Sequence, residues 1–424
     1  MWPAGELPAT APVNLTSVTG RPLHAFLLPP DRTGRLIEAL ATALDGSGPA
    51  ILPLDPGLPP ARVTALCEAF APAVVETAGG ASRWRTAGRH AGGRAGGNGE
   101  VPPEVAVVVA TSGSTGQPKG AQLSAAALLH SARASLGRIG ARPGERWLCP
   151  LPTSHIAGLG VLVRSLVSGT DPVVTRRLDA AGPDLAAFGC VHVSLVPAQL
   201  RRLLAARASV AAFGTILLGG AAVPAGLLAS ARAAGARVVT TYGMSETCGG
   251  CVYDGFALDG VSVRAGTGGE AERIKIAGPV VFSGYRGRPG LTAQAMAGRW
   301  FVTSDVGRVD RAGRLTVHGR ADEMINTGGH KVAPAEVAGI LEAFGGVREA
   351  VVTGEPDSGW GQRVTAFVVP ADPEAPPGLD ELKEHVRESL PAYAAPRALV
   401  LVDELPLLAS GKPDLTALRA LLPG

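Results

Sequence analysis

The chain is poor in aromatic residues and has no large excess of charge of either sign. Phe, Trp and Tyr make up 4% of its 424 residues, and 39 Lys and Arg face 36 Asp and Glu, which gives a net charge of +3. Nucleic-acid-binding surfaces are typically dense basic patches, often with interleaved aromatics, and this sequence has none. We therefore expect no nucleic-acid partner. Hydrophobic residues still reach 46%, enough for a core built mainly from Ala, Val and Leu.

Long apolar runs are missing as well. Gly, Pro or Arg interrupts each run before the roughly 20 residues that a membrane-spanning helix needs, and no charged-then-apolar leader opens the sequence. The cysteines are odd in number and scattered: Cys67, Cys149, Cys190, Cys248 and Cys251. We expect a cytoplasmic protein with reduced thiols and no membrane partner. A second ligand pair with zinc-site spacing is lacking, so we interpret Cys248 and Cys251 as small residues that shape a pocket floor.

The sequence does contain alternating helical and strand-like segments. Apolar spacing predicts helices over 34–44 and 125–140, a buried strand over 49–56, and a β-hairpin over 308–320. Such alternation favours layers of helices on sheets. The Gly-rich residues 87–100 are typical of a surface loop.

The last hundred residues have a different pattern, with two strands around a turn over 348–370 and an amphipathic helix over 380–393. The total length also exceeds that of a usual single domain. We predict an α/β fold in which a large N-terminal multi-layer α/β domain, residues 1–321, is joined by a hinge to a small C-terminal α+β domain, residues 322–424.

The strongest local signal is the segment TSGSTGQPKG, residues 111–120, which follows an apolar strand-like run. Small residues let backbone N–H groups converge on phosphate oxygens, hydroxyl groups add donors, and Lys119 adds a positive charge. A Walker A loop is excluded because it needs Lys directly after its second Gly. The pattern predicts a site for nucleotide phosphates, lined by Thr111, Ser112, Gly113, Ser114, Thr115 and Gly116.

This loop resembles the phosphate loop of the acyl-adenylate-forming superfamily, and further motifs follow in the family's order. They are LLGGAAVP (217–224), TYGMSE (241–246), WFVTSDVG (300–307), GRADEMINTGGHKV (319–332) and LPLLASGKPD (405–414). The resemblance is to the acyl-CoA synthetase branch. It implies an acyl-CoA synthetase-like fold and an enzyme that uses ATP and Mg²⁺ to make an acyl-adenylate and then passes the acyl group to coenzyme A.

The same resemblance implies roles for individual residues. Tyr242 would stack on adenine, Ser245 would contact the α-phosphate, and Glu246 would hold Mg²⁺. The residues expected around the nucleotide are Gly219, Gly220, Ala221, Tyr242, Gly243, Ser245, Asp305 and Arg320. Two positions depart from the family pattern: Ser304 replaces the usual Gly, and Ala338 stands where many members have Glu.

The resemblance also implies motion between the two domains. Asp322 would be the hinge, and Lys412 would be the mobile lysine that catalyses adenylation. Rotation about Asp322 would withdraw Lys412 and bring the loop 328–331 to the site for thioester formation.

Two residues bear on the acid that is activated. His155 lies where the superfamily keeps an aromatic or His residue beside the acyl site, and a merely packed histidine is the alternative. Arg164 lies in an apolar helical run, where a guanidinium needs an anion. It could instead lie on a helix surface, pair with an internal carboxylate, or grip a second carboxylate of the substrate.

Three stretches, 155–164, 192–204 and 242–255, resemble the o-succinylbenzoate–CoA ligases of menaquinone biosynthesis, in particular the short actinobacterial type. This implies 2-succinylbenzoate as the small-molecule acid, with its benzoate carboxylate on Arg164 and a further polar contact from Ser194. The alternatives are another aryl- or acyl-CoA ligase, a stand-alone adenylation enzyme of secondary metabolism, and a degenerate nucleotide-binding protein. The oligomeric state stays open, with a homodimer as one alternative.

Overall fold

The computed structural model describes residues 20–84, 99–111, 117–175, 178, 185–267, 271–407 and 413–422. Three predicted features lie wholly or largely outside these ranges: the Gly-rich loop 87–100, the phosphate-loop residues 112–116, and Lys412.

Each helix that the apolar spacing predicts has a counterpart in the structure, and further helices lie between them. In chain order the helices are α1 (Thr33–Asp45), α2 (Pro60–Phe70), α3 (Ala125–Ile139), α4 (Ile156–Val167), α5 (Pro197–Ala205), α6 (Ala225–Ala233), α7 (Pro289–Ala295), α8 (Pro334–Leu341), α9 (Leu379–Arg387) and α10 (Leu415–Arg419). The predictions over 34–44 and 125–140 are confirmed by α1 and α3. The prediction over 380–393 is too long, because Pro391 disfavours helical geometry at the residue before it and α9 ends at Arg387.

The ends of α3 show how local sequence sets a helix. The Ser124 hydroxyl accepts a hydrogen bond from the Ala127 N–H and so caps the first turn. The helix stops at Gly140, whose φ of 70° is left-handed and suits glycine.

Strands up to residue 320 build three sheets. In chain order they are β1 (Arg21–Leu27), β2 (Ala50–Pro53), β3 (Val74–Thr77), β4 (Gly80–Arg83), β5 (Glu100–Val101), β6 (Val105–Thr111), β7 (Lys119–Ser124), β8 (Trp147–Cys149), β9 (Val173–Val174), β10 (His192–Leu195), β11 (Thr215–Leu218), β12 (Val238–Met244), β13 (Gly249–Tyr253), β14 (Phe256–Ala257), β15 (Ser262–Arg264), β16 (Glu272–Ala277), β17 (Gly284–Tyr285), β18 (Met296–Ala297), β19 (Trp300–Val309) and β20 (Leu315–Arg320).

The remaining strands form a fourth sheet. They are β21 (Ile325–Thr327), β22 (His330–Val332), β23 (Val347–Asp357), β24 (Gly361–Pro370) and β25 (Ala398–Leu401). The two strands predicted over 348–370 are confirmed by the antiparallel pair β23 and β24. Likewise β19 and β20 confirm the hairpin predicted over 308–320, and β2 confirms the buried strand.

The first sheet has the order β17-β7-β6-β2-β1-β3-β4, with β5 beside β1, and the second has the order β14-β13-β12-β11-β10-β8-β9. The third sheet has the order β15-β16-β19-β18, with β20 beside β19. In the second sheet β8, β10, β11 and β12 run parallel, so their carboxyl ends lie at one edge.

Helices α3 and α4 lie between the first two sheets. Leu128 of α3 and Leu159 of α4 pack into a core with Val107 of the first sheet. Val161, from another face of α4, packs with Trp147 of the second sheet. This layered burial explains why α4 is apolar almost all round, as a helix covered on two sides must be.

The fourth sheet has its own core, in which Val337 of α8 and Leu382 of α9 pack on Val364 of β24. Sheet membership changes between β20 and β21, in the connection that contains Asp322. The architecture is α/β with a large N-terminal part and a smaller C-terminal part, as predicted. The boundary at residue 322 stays a prediction.

Among the residues that the structure describes, no helix combines the length and the apolar character needed to cross a lipid bilayer.

Candidate active site

The carboxyl ends of β10, β11 and β12 form the edge where ligands bind in open sheets with parallel strands. Gly219 and Gly220 follow β11 directly. A Cβ on Gly219 would collide with the Thr241 side chain and carbonyl, and Gly220 has a φ of 83°. Two adjacent positions therefore require glycine. Because neither glycine has a side chain, a flat ring can approach the backbone at this edge. The half-buried Ala221, which follows them, adds only a methyl group.

Strand β12 changes partner near its end. It pairs with β11 as far as Thr240 and then forms an antiparallel hairpin with β13, with an irregularity between Tyr242 and Gly243. A Cβ on Gly243 would collide with the Gly249 carbonyl, so only glycine permits this close approach. The irregularity changes the direction of the backbone next to Tyr242, as β-bulges commonly do at functional sites.

Tyr242 is fixed by a carboxylate from another sheet. Its hydroxyl donates a 2.7 Å hydrogen bond to Asp305 Oδ2. Burial, followed by the charge of Asp305, raises the pKa of Tyr242 well above its usual value, so the phenol stays a neutral donor. The Asp305 N–H donates to the Thr303 hydroxyl at 3.0 Å, which fixes the backbone of β19 at this point. Asp305 keeps a second oxygen with which it can accept hydrogen bonds from a ligand.

Glu246 lies in a short 3₁₀ turn, Ser245–Thr247, directly after β12. Its Oε1 accepts a 2.7 Å hydrogen bond from the Tyr285 hydroxyl. Burial and the nearby Glu246 carboxylate raise the pKa of Tyr285, so this donor is neutral too. The half-buried Ser245 precedes Glu246 in the turn.

The Glu246 carboxylate suits a hard cation. No Lys or Arg of the described residues forms an ion pair with it, and these ranges hold no group of three His, Cys, Asp or Glu that could bind a metal ion. One carboxylate is sufficient for Mg²⁺ when nucleotide phosphates and water supply the remaining oxygens. The donor set therefore fits a magnesium–nucleotide complex.

Lys119 begins the strand that closes the phosphate loop. Strands β6 and β7 are antiparallel, Thr111 lies opposite Lys119, and the Thr111 hydroxyl donates to the Lys119 carbonyl at 3.3 Å. The Lys119 ammonium lies 5.7 Å from the centre of the Tyr285 ring. Tyr285 thus contacts both Lys119 and Glu246 and brings these two predicted residues together.

Sequence reasoning missed Tyr285. It lies in β17, which pairs with β7 across more than 150 intervening residues. The segment 283–288 carries Gly and Arg residues but no pattern that indicates a contact with Glu246.

Asp305 and Arg320 lie opposite each other on β19 and β20. The Arg320 guanidinium turns towards the connection, however, and donates two hydrogen bonds to Asp322, at 2.9 and 2.7 Å. These bonds lower the pKa of Asp322 and so keep it ionised. Arg320, predicted for the nucleotide, and Asp322, predicted for the hinge, therefore form one pair, and the nucleotide contact of Arg320 stays a prediction.

Arg164 projects from α4 towards the second sheet. Its Nη2 donates to the Ser194 hydroxyl at 2.9 Å, and its guanidinium carbon lies 4.5 Å from the centre of the Trp147 ring. Its Nε is buried and has no hydrogen-bond partner among the residues that the structure describes. Burial lowers the pKa of Arg164, which is only partly offset by Tyr253 and Cys149.

Within the described ranges, no carboxylate lies at ion-pair distance from Arg164, so the internal salt bridge considered as an alternative is not found there. The side chain is not on an open surface either, because it is half-buried between Trp147 and Ser194. A desolvated guanidinium without a counter-ion is a strong site for an anionic ligand.

His155 is exposed at the position that precedes α4, at the same end as the β12–β13 hairpin. A Cβ on Gly249 would lie 3.7 Å from the Ile156 side chain, which shows how closely the hairpin approaches this helix. Cys248 and Cys251 are buried and unpaired in that hairpin. Burial raises the pKa of Cys251 to about 12 and also raises that of Cys248, so both are inert thiols that pack rather than react.

Comparison with known proteins agrees with this geometry. The AMP-binding enzyme family matches residues 39–285, and the AMP-binding enzyme C-terminal domain matches residues 336–412. A probable 2-succinylbenzoate–CoA ligase of Mycobacterium tuberculosis is 45% identical over 333 residues, which cover 75% of this chain and 85% of that protein.

Two solved structures of the o-succinylbenzoate CoA synthetase of Bacillus subtilis have a similar fold. Its complex with the acyl-adenylate intermediate aligns with a TM-score of 0.76 and 26% identity, over 94% of this chain and 88% of that one. Its complex with ATP and magnesium ion aligns with a TM-score of 0.75 and 25% identity, over 92% and 88% of the two chains. With the family match across more than half of its length, this chain belongs to the AMP-binding enzyme family.

Proposed function

We propose that the chain is an AMP-forming acid–thiol ligase that joins 2-succinylbenzoate to coenzyme A and releases AMP and pyrophosphate, a step of menaquinone biosynthesis. The observation that carries the proposal is Arg164, a desolvated guanidinium beside Ser194 with no carboxylate partner in the described residues. A substrate with two carboxylates supplies the missing anion while its other carboxylate reacts. The 45% identity to a probable ligase of this specificity supports the same acid.

In the first half-reaction, an oxygen of the succinyl carboxylate attacks the α-phosphorus of ATP, and pyrophosphate leaves. We assign the adenosine to the Gly219–Gly220 backbone, Tyr242 and Asp305, because these groups offer bare backbone, a fixed aromatic ring and a free carboxylate oxygen. The loop that joins Thr111 to Lys119 would bind the phosphates.

Glu246 is the residue we assign to Mg²⁺, which when bound neutralises charge that builds on the phosphate oxygens. Tyr285 would hold the Glu246 carboxylate in position through the 2.7 Å hydrogen bond. Lys412 would add a second positive charge in the adenylation step, an assignment that depends on the sequence resemblance alone.

In the second half-reaction, the thiol of coenzyme A attacks the carbonyl of the acyl-adenylate, the C–S bond forms and AMP leaves. We propose that the C-terminal part pivots at Asp322 between the two steps and that His155 borders the path of the thiol. His155 lies at an exposed helix start, which is compatible with a group that moves aside.

The cellular setting is also part of the proposal. All five cysteines are unpaired thiols, which agrees with the reducing cytoplasm. The homodimer stays a prediction that size-exclusion chromatography with light scattering would decide.

The decisive test is mass detection of the thioester after incubation with ATP, Mg²⁺, coenzyme A and each of three acids. These are 2-succinylbenzoate, 4-oxo-4-phenylbutanoate, which lacks the ring carboxylate, and benzoate. We expect the thioester of 2-succinylbenzoate to dominate. Equal or better turnover of 4-oxo-4-phenylbutanoate would show that a second carboxylate is not recognised, and pyrophosphate release without a thioester would exclude the coenzyme A step.

A further inference from the structure

Trp147 lies between Arg164 and a polar pair made of the buried His192 and the half-buried Glu145. Its ring lies 4.5 Å from the Arg164 guanidinium carbon and 4.8 Å, centre to centre, from the His192 imidazole. The contact with His192 follows from strand register, because β8 and β10 are parallel neighbours in which Trp147 lies opposite His192. Ser194, the hydrogen-bond partner of Arg164, lies two residues further along β10 and therefore on the same face.

The charges behind Trp147 are balanced within this cluster. Glu145 accepts hydrogen bonds from the backbone N–H and the Nε of Arg142, both at 2.8 Å, and these bonds hold its pKa at about 2. The ionised carboxylate is 3.0 Å from His192 Nε2. Burial lowers the pKa of His192, so its imidazole is neutral and Nε2–H is the donor.

A neutral imidazole matters for the neighbouring guanidinium. A protonated His192 would add a like charge close to Arg164 and would oppose the binding of the cation against the Trp147 ring. The hydrogen bond to Glu145 orients the neutral imidazole without adding a positive charge near Arg164. The oriented His192 in turn packs against the Trp147 ring.

The choice of Trp has a cost that packing alone does not explain. Trp147 is fully buried, and its Nε1 has no hydrogen-bond partner within the described part of the chain. A Phe or Leu would fill much of this space without burying an unsatisfied donor. What indole supplies in exchange is the aromatic face with the strongest attraction for a cation.

The helix places a small residue beside the guanidinium. Gly160 lies one turn before Arg164 on α4, and a Cβ there would be 3.4 Å from Arg164 Nη1, which is an ordinary van der Waals contact. Nη2 donates to Ser194, whereas no hydrogen bond from Nη1 is found within the described residues. The contacts therefore fix one edge of the guanidinium and leave donors on another edge for a ligand.

We propose that Trp147 is a positioning residue for acid specificity. Its ring holds the flat face of the Arg164 guanidinium, so that the N–H edge of the guanidinium meets the ring carboxylate of an aromatic dicarboxylic acid. The inference rests on the proposed function and deepens it. Trp147 itself touches neither ATP nor the reacting carboxylate in this arrangement. Its replacement should therefore change recognition of the second carboxylate and leave ATP use intact.

The test compares two acids in each variant: 2-succinylbenzoate and 4-oxo-4-phenylbutanoate, which lacks the ring carboxylate. We expect Trp147→Leu to raise KM for 2-succinylbenzoate by about tenfold, the scale of a desolvated cation–π contact. KM for 4-oxo-4-phenylbutanoate and KM for ATP should change less than about twofold by the same reasoning. Trp147→Phe retains an aromatic face and should give an intermediate but still selective increase.

Leu148→Ala is the matched control, because Leu148 is the next residue of β8, is equally buried and packs into a different core cluster. We expect it to lower Tm and to affect both acids equally. Trp147→Leu would overturn the proposal if it raised KM for both acids by the same factor, since that is the signature of general damage. Should this variant not fold, Trp147→Phe decides, and an unselective change in it has the same meaning.

A failure of the proposed function gives a different result from a failure of the Trp147 proposal. If the unaltered protein and Arg164→Ala treat the two acids alike, Arg164 does not bind a second carboxylate and the specificity itself is wrong. Another outcome is that Arg164→Ala abolishes the preference for 2-succinylbenzoate while Trp147→Leu leaves it unchanged. In that case Arg164 binds the second carboxylate, and only the positioning role of Trp147 is overturned.

Discussion

Tyr242 and Asp305 are joined by a 2.7 Å hydrogen bond although 62 residues and a change of sheet separate them. The bond connects β12, at the carboxyl edge of the second sheet, to β19 of the third sheet. It holds together the aromatic ring and the carboxylate that we assign to the adenosine. Loss of either partner should therefore weaken ATP binding and leave the acyl site unaffected.

The first prediction concerns this pair. Asp305→Ala removes a charged acceptor and should lower kcat/KM for ATP by about 10- to 100-fold, the scale of hydrogen bonds to a charged group. Tyr242→Phe keeps the ring and should lower it only a few-fold. Initial rates of pyrophosphate release at varied ATP check both values. A parallel rise in KM for the acid would contradict the assignment, since we assign this pair to the adenosine and not to the acid.

The second prediction concerns Glu246. Glu246→Gln keeps the size and the hydrogen-bond acceptor for Tyr285 but removes the negative charge that attracts a divalent cation. The Mg²⁺ concentration for half-maximal pyrophosphate release should rise by about tenfold or more, since the site offers one carboxylate.

Tyr285→Phe is the matched control for Glu246, because it removes the hydrogen bond and retains the charge. We expect a shift of the Mg²⁺ requirement that is much smaller than in Glu246→Gln. Equal shifts in the two variants would mean that carboxylate orientation, and not charge, determines cation binding.

The third prediction concerns Lys412, which lies outside the described residues and is assigned by sequence resemblance. Lys412→Ala should slow adenylation at least about 100-fold, which corresponds to roughly 2.7 kcal/mol of transition-state stabilisation. Thioester formation from a preformed acyl-adenylate should be much less affected, because the proposed rotation withdraws the lysine in that step. Lys383→Ala, on the surface of α9 beside Asp380, is the control lysine. Equal loss in both half-reactions would contradict the role.

How far the sequence predicts this site depends on the range of the interactions. Helices such as α1 and α3 follow from spacing over a few residues, and the hairpin of β19 and β20 follows from neighbouring segments. Lys119 was identified from the pattern of the segment 111–120, and Glu246 was identified by resemblance. Their common neighbour Tyr285 was not, because its place depends on β17 joining β7, a pairing that no local pattern encodes.

The acyl site shows the same limit. Arg164 could be singled out because a charge within an apolar helix needs an explanation. Its contact with Trp147 depends on how α4 packs on β8, and the contact of Trp147 with His192 depends on β8 lying beside β10. Such side-by-side placement of distant strands is a property of the whole sheet, so the alternatives for Arg164 stayed open until the fold was known.

The last prediction is the pH dependence of stability that arises from Glu145. Its pKa in the folded protein is about 2 against an ordinary value of 4.5, chiefly because the Arg142 N–H donates to the carboxylate. A lowered pKa stabilises the fold above pH 4.5, and this contribution is lost as pH falls from 4.5 towards 2. At about 1.4 kcal/mol for each pKa unit, the contribution is at most roughly 3.5 kcal/mol. Burial also lowers the pKa of His192, so its effect on the free energy of unfolding has the same sign: stability decreases as pH falls below the ordinary value of 6.5.

Glu145→Gln isolates the carboxylate contribution. The free energy of unfolding, measured with urea at pH 7, 5 and 3.5, should be lower in the variant at pH 7 and 5, and the difference from the unaltered protein should shrink at pH 3.5. Glu104→Gln, at an exposed position, serves as the control and should show no such trend. A difference that stays constant down to pH 3.5 would mean that Glu145 stabilises the fold by packing, because only the ionised carboxylate loses its advantage as the proton concentration rises.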